Sequence, residues 1–282
     1  MLKFIKMHGC GNDFVFIDCF DTEVENPEEL SKKLCMQDFG IGADGLVLIL
    51  QADKAHAKMR MFNPDGTEAG MCGNAIRCVA MYLKDTKRIS GNKMDIDTND
   101  GIKAIEIISK EGSPDMYKVG MGRPRLAPID IPTTLQGDAI INRPIAIGDK
   151  EYGITCVNVG NPHAVIFCDD VAGLNLKLLG PQFENNPIFP ERINTEFVQV
   201  IARNHLKMRV WERGAEETLA CGTGATAASV AAVLNNYCDY DEDVLVELVG
   251  GRLIINYTKE ELFMTGGATK VFEGSVDIGN IG

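Results

Sequence analysis

The sequence has little of what would send a chain to a membrane, a nucleic acid or a disulfide-stapled fold. No uninterrupted apolar run approaches the ~20 residues of a membrane span. The first fourteen residues carry Lys3, Lys6, His8 and Asp13 and lack the apolar stretch of a secretory signal. Basic residues are in deficit: 28 Lys and Arg stand against 40 Asp and Glu, a formal net charge of -12. That balance argues against binding nucleic acid, which needs Lys/Arg patches, and against docking on an anionic membrane. There are only four His, and none of the nine cysteines forms a Cys-x-x-Cys pair, so zinc-site spacing is missing. An odd cysteine count without an export signal reads as reduced thiols in the cytoplasm, most of them small core residues.

What is present suits a globular enzyme. The chain has 282 residues, 45% apolar and 24% charged, enough for two domains with their own cores. It also repeats itself. Met-Arg-Met-Phe at 59–62 is answered by Met-Arg-Val-Trp at 208–211, 149 positions later. The same step takes Cys72-Gly73 to Cys221-Gly222 and Gly11-Asn12 to Gly160-Asn161. Three motifs at one offset indicate a duplicated supersecondary unit. Two such halves are expected to pack about a pseudo-twofold axis that brings equivalent residues face to face.

The periodicity places the elements coarsely. Leu-Val-Leu-Ile-Leu at 46–50 predicts a buried strand. Residues 59–62 and 207–211 predict strands, the first ending at the turn signal Asn63-Pro64-Asp65-Gly66. Residues 74–83 predict a helix with Ile76, Val79, Ala80 and Leu83 along one side. Residues 224–234, mostly Ala, Val and Ser, predict a helix apolar nearly all round and hence wrapped by sheet. Residues 27–36 predict an outer amphipathic helix with Pro at its start and acids in its first turn. Residues 94–108 and 244–257 predict hairpins turning at Asp100-Gly101 and Gly250-Gly251. The proline-rich stretch 124–132 predicts an interdomain crossing. The domains are read as 1–117, completed by a C-terminal strand within 267–282, and 118–266.

Each Cys-Gly pair sits directly before a predicted helix. A helix N-terminus presents unpaired N–H groups and partial positive charge. That charge lowers a thiol pKa from about 8.5, and the N–H groups can bind a carboxylate. Gly after Cys lets a ligand approach the backbone. One such thiol would suit a nucleophile or an inert cap. Two of them, related by the repeat, suit stereoinversion, which needs a base on one face of a carbon and an acid on the other. An α-proton is far less acidic than a thiol, so helix N–H groups on the α-carboxylate would have to stabilise the carbanion. Arg213, after a strand, suits a bidentate grip on a second carboxylate. Arg60 and Arg209, on matched strands, suit architecture instead.

The motifs together resemble diaminopimelate epimerases over the whole chain. They are His8-Gly9-x-Gly11-Asn12-Asp13-Phe14, Gly40-Ile41-Gly42-Ala43-Asp44-Gly45, Phe62-Asn63-Pro64-Asp65-Gly66, Cys72-Gly73-Asn74-x-x-Arg77, Gly160-Asn161-Pro162-His163 and Glu212-Arg213-Gly214-Ala215-x-Glu217-Thr218-x-Ala220-Cys221-Gly222. The resemblance implies an α+β fold of two pseudo-symmetric domains, each a curled mixed sheet around a central helix. It implies interconversion of LL- and meso-diaminopimelate in lysine and peptidoglycan precursor synthesis, without pyridoxal phosphate, metal or other cofactor, by a cytoplasmic homodimer. It assigns Cys72 and Cys221 as the acid/base pair. Asn12, Asn63, Asn161, Asn194, Glu212 and Arg213 become substrate-binding positions, and Gly73, Asn74, Gly222 and Thr223 carboxylate-binding helix starts. His163 and Glu212 are placed beside the cysteines. Gly45, 149 positions before Asn194, stands where some members carry Gln.

Three rival readings have discriminators. A proline-type racemase would need a more apolar pocket than Glu212, Arg213 and several Asn provide. The related isomerases lack the cysteine pair. A metal or redox sensor would need metal-ligand spacing.

Overall fold

The computed structural model describes residues 1–281. The chain forms two compact units, Met1–Val119 with Gly266–Gly282, and Gly120–Thr265. Both are α+β, a mixed sheet with few helices.

The first unit opens with β1 (Leu2–Gly9) and β2 (Asn12–Cys19), then α1 (Pro27–Cys35). Pro27 fixes the first helical residue, Glu28 and Glu29 complement the positive end, and Lys32 and Lys33 the negative end. β3 (Leu46–Leu50) and β4 (Ala57–Phe62) follow, with the two-residue β5 (Glu68–Ala69). Between β4 and β5 the Gly66 amide closes the turn on the Asn63 carbonyl at 2.9 Å, with Gly66 at φ +87°. α2 (Gly73–Asp85) is next, then β6 (Lys93–Thr98), β7 (Gly101–Ile108) and β8 (Met116–Gly122). β2 pairs parallel with β3, and β4 parallel with β6. The pairs β1/β2, β3/β4, β6/β7 and β7/β8 are antiparallel. Side chains alternate between sheet faces. Leu46, Leu48 and Phe62 pack with Leu30 and Leu34 of α1, each such burial being worth roughly 1.5–3 kcal/mol. α2 packs against β1 and β2.

The second unit repeats this order. β9 (Arg143–Ile147), β10 (Lys150–Asn158), β11 (Pro162–Phe167), α3 (Leu176–Glu184), β12 (Asn194–Ala202), β13 (His205–Glu212), β14 (Glu216–Thr218), α4 (Gly222–Leu234), β15 (Asp243–Leu248), β16 (Gly251–Tyr257) and β17 (Leu262–Gly266) follow in turn. The parallel joins recur, β11 with β12 and β13 with β15. α4 touches β10, β11, β12, β13, β15 and β16, so the sheet wraps it, as its small-residue sequence predicts. Across the sheet, Phe183 of α3 packs with Phe197 and Trp211. The chain then returns to the first unit, where β18 (Thr269–Val276) pairs antiparallel with β1. Among the described residues, no helix is long and apolar enough to cross a membrane.

The predicted helices and hairpins are present, most a residue or two longer than expected. α3 is the longer helix the periodicity does not announce, because Gly180 and Pro181 interrupt it.

Candidate active site

Both cysteines are N-cap residues, Cys72 of α2 and Cys221 of α4, each with extended backbone. Their surroundings differ.

In the first unit, Cys72 Sγ donates to Asn12 Oδ1 at 3.8 Å, and Asn74 Nδ2 donates to the same oxygen at 3.1 Å. Asn12 Nδ2 in turn donates to Asp44 Oδ2 at 2.8 Å. Burial above all holds the Asp44 carboxyl above its ordinary pKa, against the hydrogen bonds from Asp13 and Asn12. Arg77 lies beneath the helix start with no exposed surface. It donates to the Gly73 carbonyl and to Asn74 Oδ1, both at 2.8 Å. Burial pulls its pKa down, and the neighbouring Cys10, Cys78 and Cys72 pull it back up. Asn63 stays in its turn, where Nδ2 donates to Thr67 Oγ1 at 2.9 Å.

In the second unit, Cys221 Sγ accepts from the Gly224 amide at 3.3 Å and lies 3.4 Å from Thr223 Oγ1. The Glu212 carboxyl lies near enough for its charge to act on this thiol, and its Oε1 accepts from Thr218 Oγ1. Three strands aim polar groups at this helix start. His163 of β11 and Glu196 of β12 are fully buried, and their Nδ1 and Oε1 lie 2.7 Å apart. His163 Nε2 lies 2.9 Å from Asn161 Oδ1. A β-carbon on Gly224 would fall 2.7 Å from Glu196 Oε1, so only glycine fits between that carboxyl and the thiol. Asn194 ties Pro162 to Arg213: its Nδ2 donates to the Pro162 carbonyl, and its Oδ1 accepts from the Arg213 amide, both at 2.9 Å. The Arg213 guanidinium reaches the Glu191 carbonyl at 3.0 Å.

One expectation is reversed. The helix terminus was expected to lower the thiol pKa. Cys221 is instead pushed well above the ordinary thiol range, by burial first and then by the charges of Glu212 and Glu196. The Thr223 and Gly224 hydrogen bonds only partly offset this. Glu212 is itself raised, chiefly by burial. In this state Cys221 is a thiol, the form of a proton donor.

Sequence reasoning did not single out Glu196, Thr218, Asp44 or Arg77. Asp44, Arg77 and Thr218 stand inside quoted motifs, which was the available signal. Glu196 is a lone charge within β12, and such a charge reads as solvent-facing.

The matched strands carry matched ion pairs. Arg60 Nε lies 2.7 Å from Glu68 Oε1, and Arg209 Nε lies 2.7 Å from Glu217 Oε1, 149 positions on. With this symmetry go the comparisons with known proteins. Residues 4–127 and 155–271 match the model of the family "Diaminopimelate epimerase". The chain belongs to the diaminopimelate epimerase family. A diaminopimelate epimerase from Acetivibrio thermocellus is 49% identical, aligned over 99% of this chain and 100% of its own length. One from Methanococcus maripaludis is 47% identical, over 98% and 100%. Among solved structures, a probable proline racemase from Agrobacterium radiobacter has a TM-score of 0.73 at 12% identity, over 99% of this chain and 93% of that one. A phenazine biosynthesis protein of the PhzF family from Bacillus anthracis has 0.71 at 17%, over 98% and 99%. At such identities these structures show that the chain shares their fold, and no more.

Proposed function

We propose that this chain interconverts LL- and meso-diaminopimelate by two-base proton transfer, with Cys72 and Cys221 as the exchanging base and acid. A thiolate takes the α-proton, the Cα–H electron pair remains as a carbanion, and the other thiol delivers a proton to the opposite face. The two sulfurs thereby exchange protonation states, and the reverse reaction runs from there. The Gly73, Asn74, Gly222 and Thr223 helix starts hold the α-carboxylate, and their N–H groups stabilise the carbanion electrostatically. Asn12, Asn63, Asn161, Asn194, Glu212 and Arg213 supply the remaining substrate contacts, and His163 and Glu212 support Cys221. The reading extends to a cytoplasmic homodimer in lysine and peptidoglycan precursor synthesis.

The observation that carries it is the matched pair of thiols: each caps the helix that follows the same strand order in its unit. The test is α-hydrogen exchange. Purified, reduced protein is incubated with LL-diaminopimelate in D₂O without added cofactor and followed by NMR. Exchange with formation of the meso isomer, lost in Cys72→Ala and in Cys221→Ala, is the expected result. No exchange by folded protein would sink the substrate. Full inversion after loss of either thiol would sink the mechanism.

A further inference from the structure

Glu196 is the buried carboxyl that this mechanism leaves unused. Its Oε1 lies 2.7 Å from His163 Nδ1, and His163 Nε2 lies 2.9 Å from Asn161 Oδ1. An amide oxygen only accepts, so Nε2 carries a hydrogen. A neutral imidazole has one such hydrogen, and Nδ1 therefore turns a lone pair toward Glu196. Two facing lone pairs repel, so this contact requires a proton between them. The pair is then net neutral whichever atom holds it. Glu196 has no exposed surface, and among the described residues its Oε2 has no hydrogen-bond partner, so the contact with His163 is what ties this carboxyl down.

We propose that Glu196 is a positioning residue: by closing a hydrogen bond on Nδ1 it keeps the other His163 nitrogen as Nε2–H and so turns the Asn161 carboxamide to present its NH₂ to the substrate. The chain runs from Glu196 Oε1 through Nδ1 and Nε2–H to Asn161 Oδ1. Asn161 Nδ2 is left as the outward donor, suited to a substrate carboxylate. The first unit builds the opposite polarity. Phe14 and Val47 occupy the positions matching His163 and Glu196. There Asp44 accepts from Asn12 Nδ2, and Oδ1 faces Cys72 and Asn74. The two repeat-related asparagines thus turn opposite ways, Asn12 with its oxygen toward the thiol and Asn161 with its oxygen toward His163. Gly224 supports the assignment, because any side chain there would displace the Glu196 carboxyl.

The proposal rests on Asn161 being a substrate-binding position, so the test has a readout independent of turnover. The full chain is labelled with ¹⁵N-histidine, and the His163 signals are assigned by their loss in His163→Gln. Wild-type protein at neutral pH is expected to show a protonated Nε2 and a hydrogen-bonded Nδ1. Glu196→Gln, whose amide can donate to Nδ1, is expected to keep Nε2 protonated and hold KM within about twofold. Glu196→Val is expected to lose that fixed Nε2–H form and raise KM roughly tenfold, the scale of one hydrogen bond, with kcat less affected. An unprotonated Nε2 in wild type, or a KM unmoved in the valine variant, overturns the proposal. If the valine variant does not fold, the wild-type and glutamine spectra still decide. A protein that shows the expected tautomer but exchanges no α-hydrogen sinks the function while leaving the Glu196–His163 assignment intact.

Discussion

The Arg213 amide donates to Asn194 Oδ1 at 2.9 Å, so the first side chain of β12 ties down the turn after β13. The other end of the same carboxamide holds the Pro162 carbonyl. Asn194→Ala would leave both backbone groups without these partners at a site only 4% exposed. The expected loss is about 1–3 kcal/mol of stability, read as a lower urea midpoint with an unchanged slope. The matching position in the first unit is Gly45, where a β-carbon would fall 2.8 Å from the Phe62 carbonyl oxygen and 3.2 Å from the Phe14 ring. The Gln that some family members carry there has no room in this chain.

Cys221 should label as a thiol with a raised pKa. Thiolate is the reactive form, and burial with the Glu212 and Glu196 charges opposes it. The rate of Cys221 alkylation by iodoacetamide, followed by peptide mass spectrometry, is expected to be still climbing at pH 9. A plateau by pH 8 would contradict the raised value. The linkage has a defined sign. A thiol pKa higher in the folded than in the unfolded chain stabilises below the unfolded value. That contribution is lost as pH rises through the folded one.

Oxidation supplies a third test. The two-base reading requires that Cys72 and Cys221 can reach the same carbon. Mild oxidation is therefore expected to link Cys72 to Cys221 and abolish activity, with recovery on adding dithiothreitol. Mass mapping of inactive, oxidised protein would refute this if both peptides carried only reduced or separately modified thiols.

Gly180 seats α3 on the Trp211 indole. A β-carbon there would lie 2.2 Å from Trp211 Cδ2. Trp211 is also held by its Nε1 donating to Glu184 Oε2 at 2.7 Å, so the ring has little freedom to retreat. Gly180→Ala is expected to cost about 1–3 kcal/mol and lower Tm by several degrees, measured by calorimetry. In the first unit Ser31 takes the corresponding place above Phe62, its hydroxyl donating to the Asn63 carbonyl at 2.8 Å.

Much of the fold is legible in the sequence because the duplication is ungapped between its main motifs. Once Cys72 and Cys221 are aligned, the strands and helices of one half predict those of the other. The exceptions have physical causes. α3 hides from the periodicity because Gly180-Pro181 breaks the helical signal, although the repeat places it, since α1 lies 149 positions before it. Glu196 hides because strand alternation cannot distinguish a charge facing water from one facing a buried imidazole. The Cys221 pKa could not be read from helix-terminus chemistry, because burial and two carboxylates outweigh the dipole. Asn12, Asn161, Glu212 and both cysteines were all legible as motif residues. Their hydrogen-bond directions were not.

Duplication within one chain has a consequence for how such a catalyst can improve. Two thiols supplied by identical subunits would have to share every neighbouring residue. Here Phe14 and Val47 stand where the second unit has His163 and Glu196. Each thiol can therefore be tuned by mutations its counterpart never feels. The ancestral symmetry supplies two chemically equivalent groups, and the fused chain makes them separately heritable.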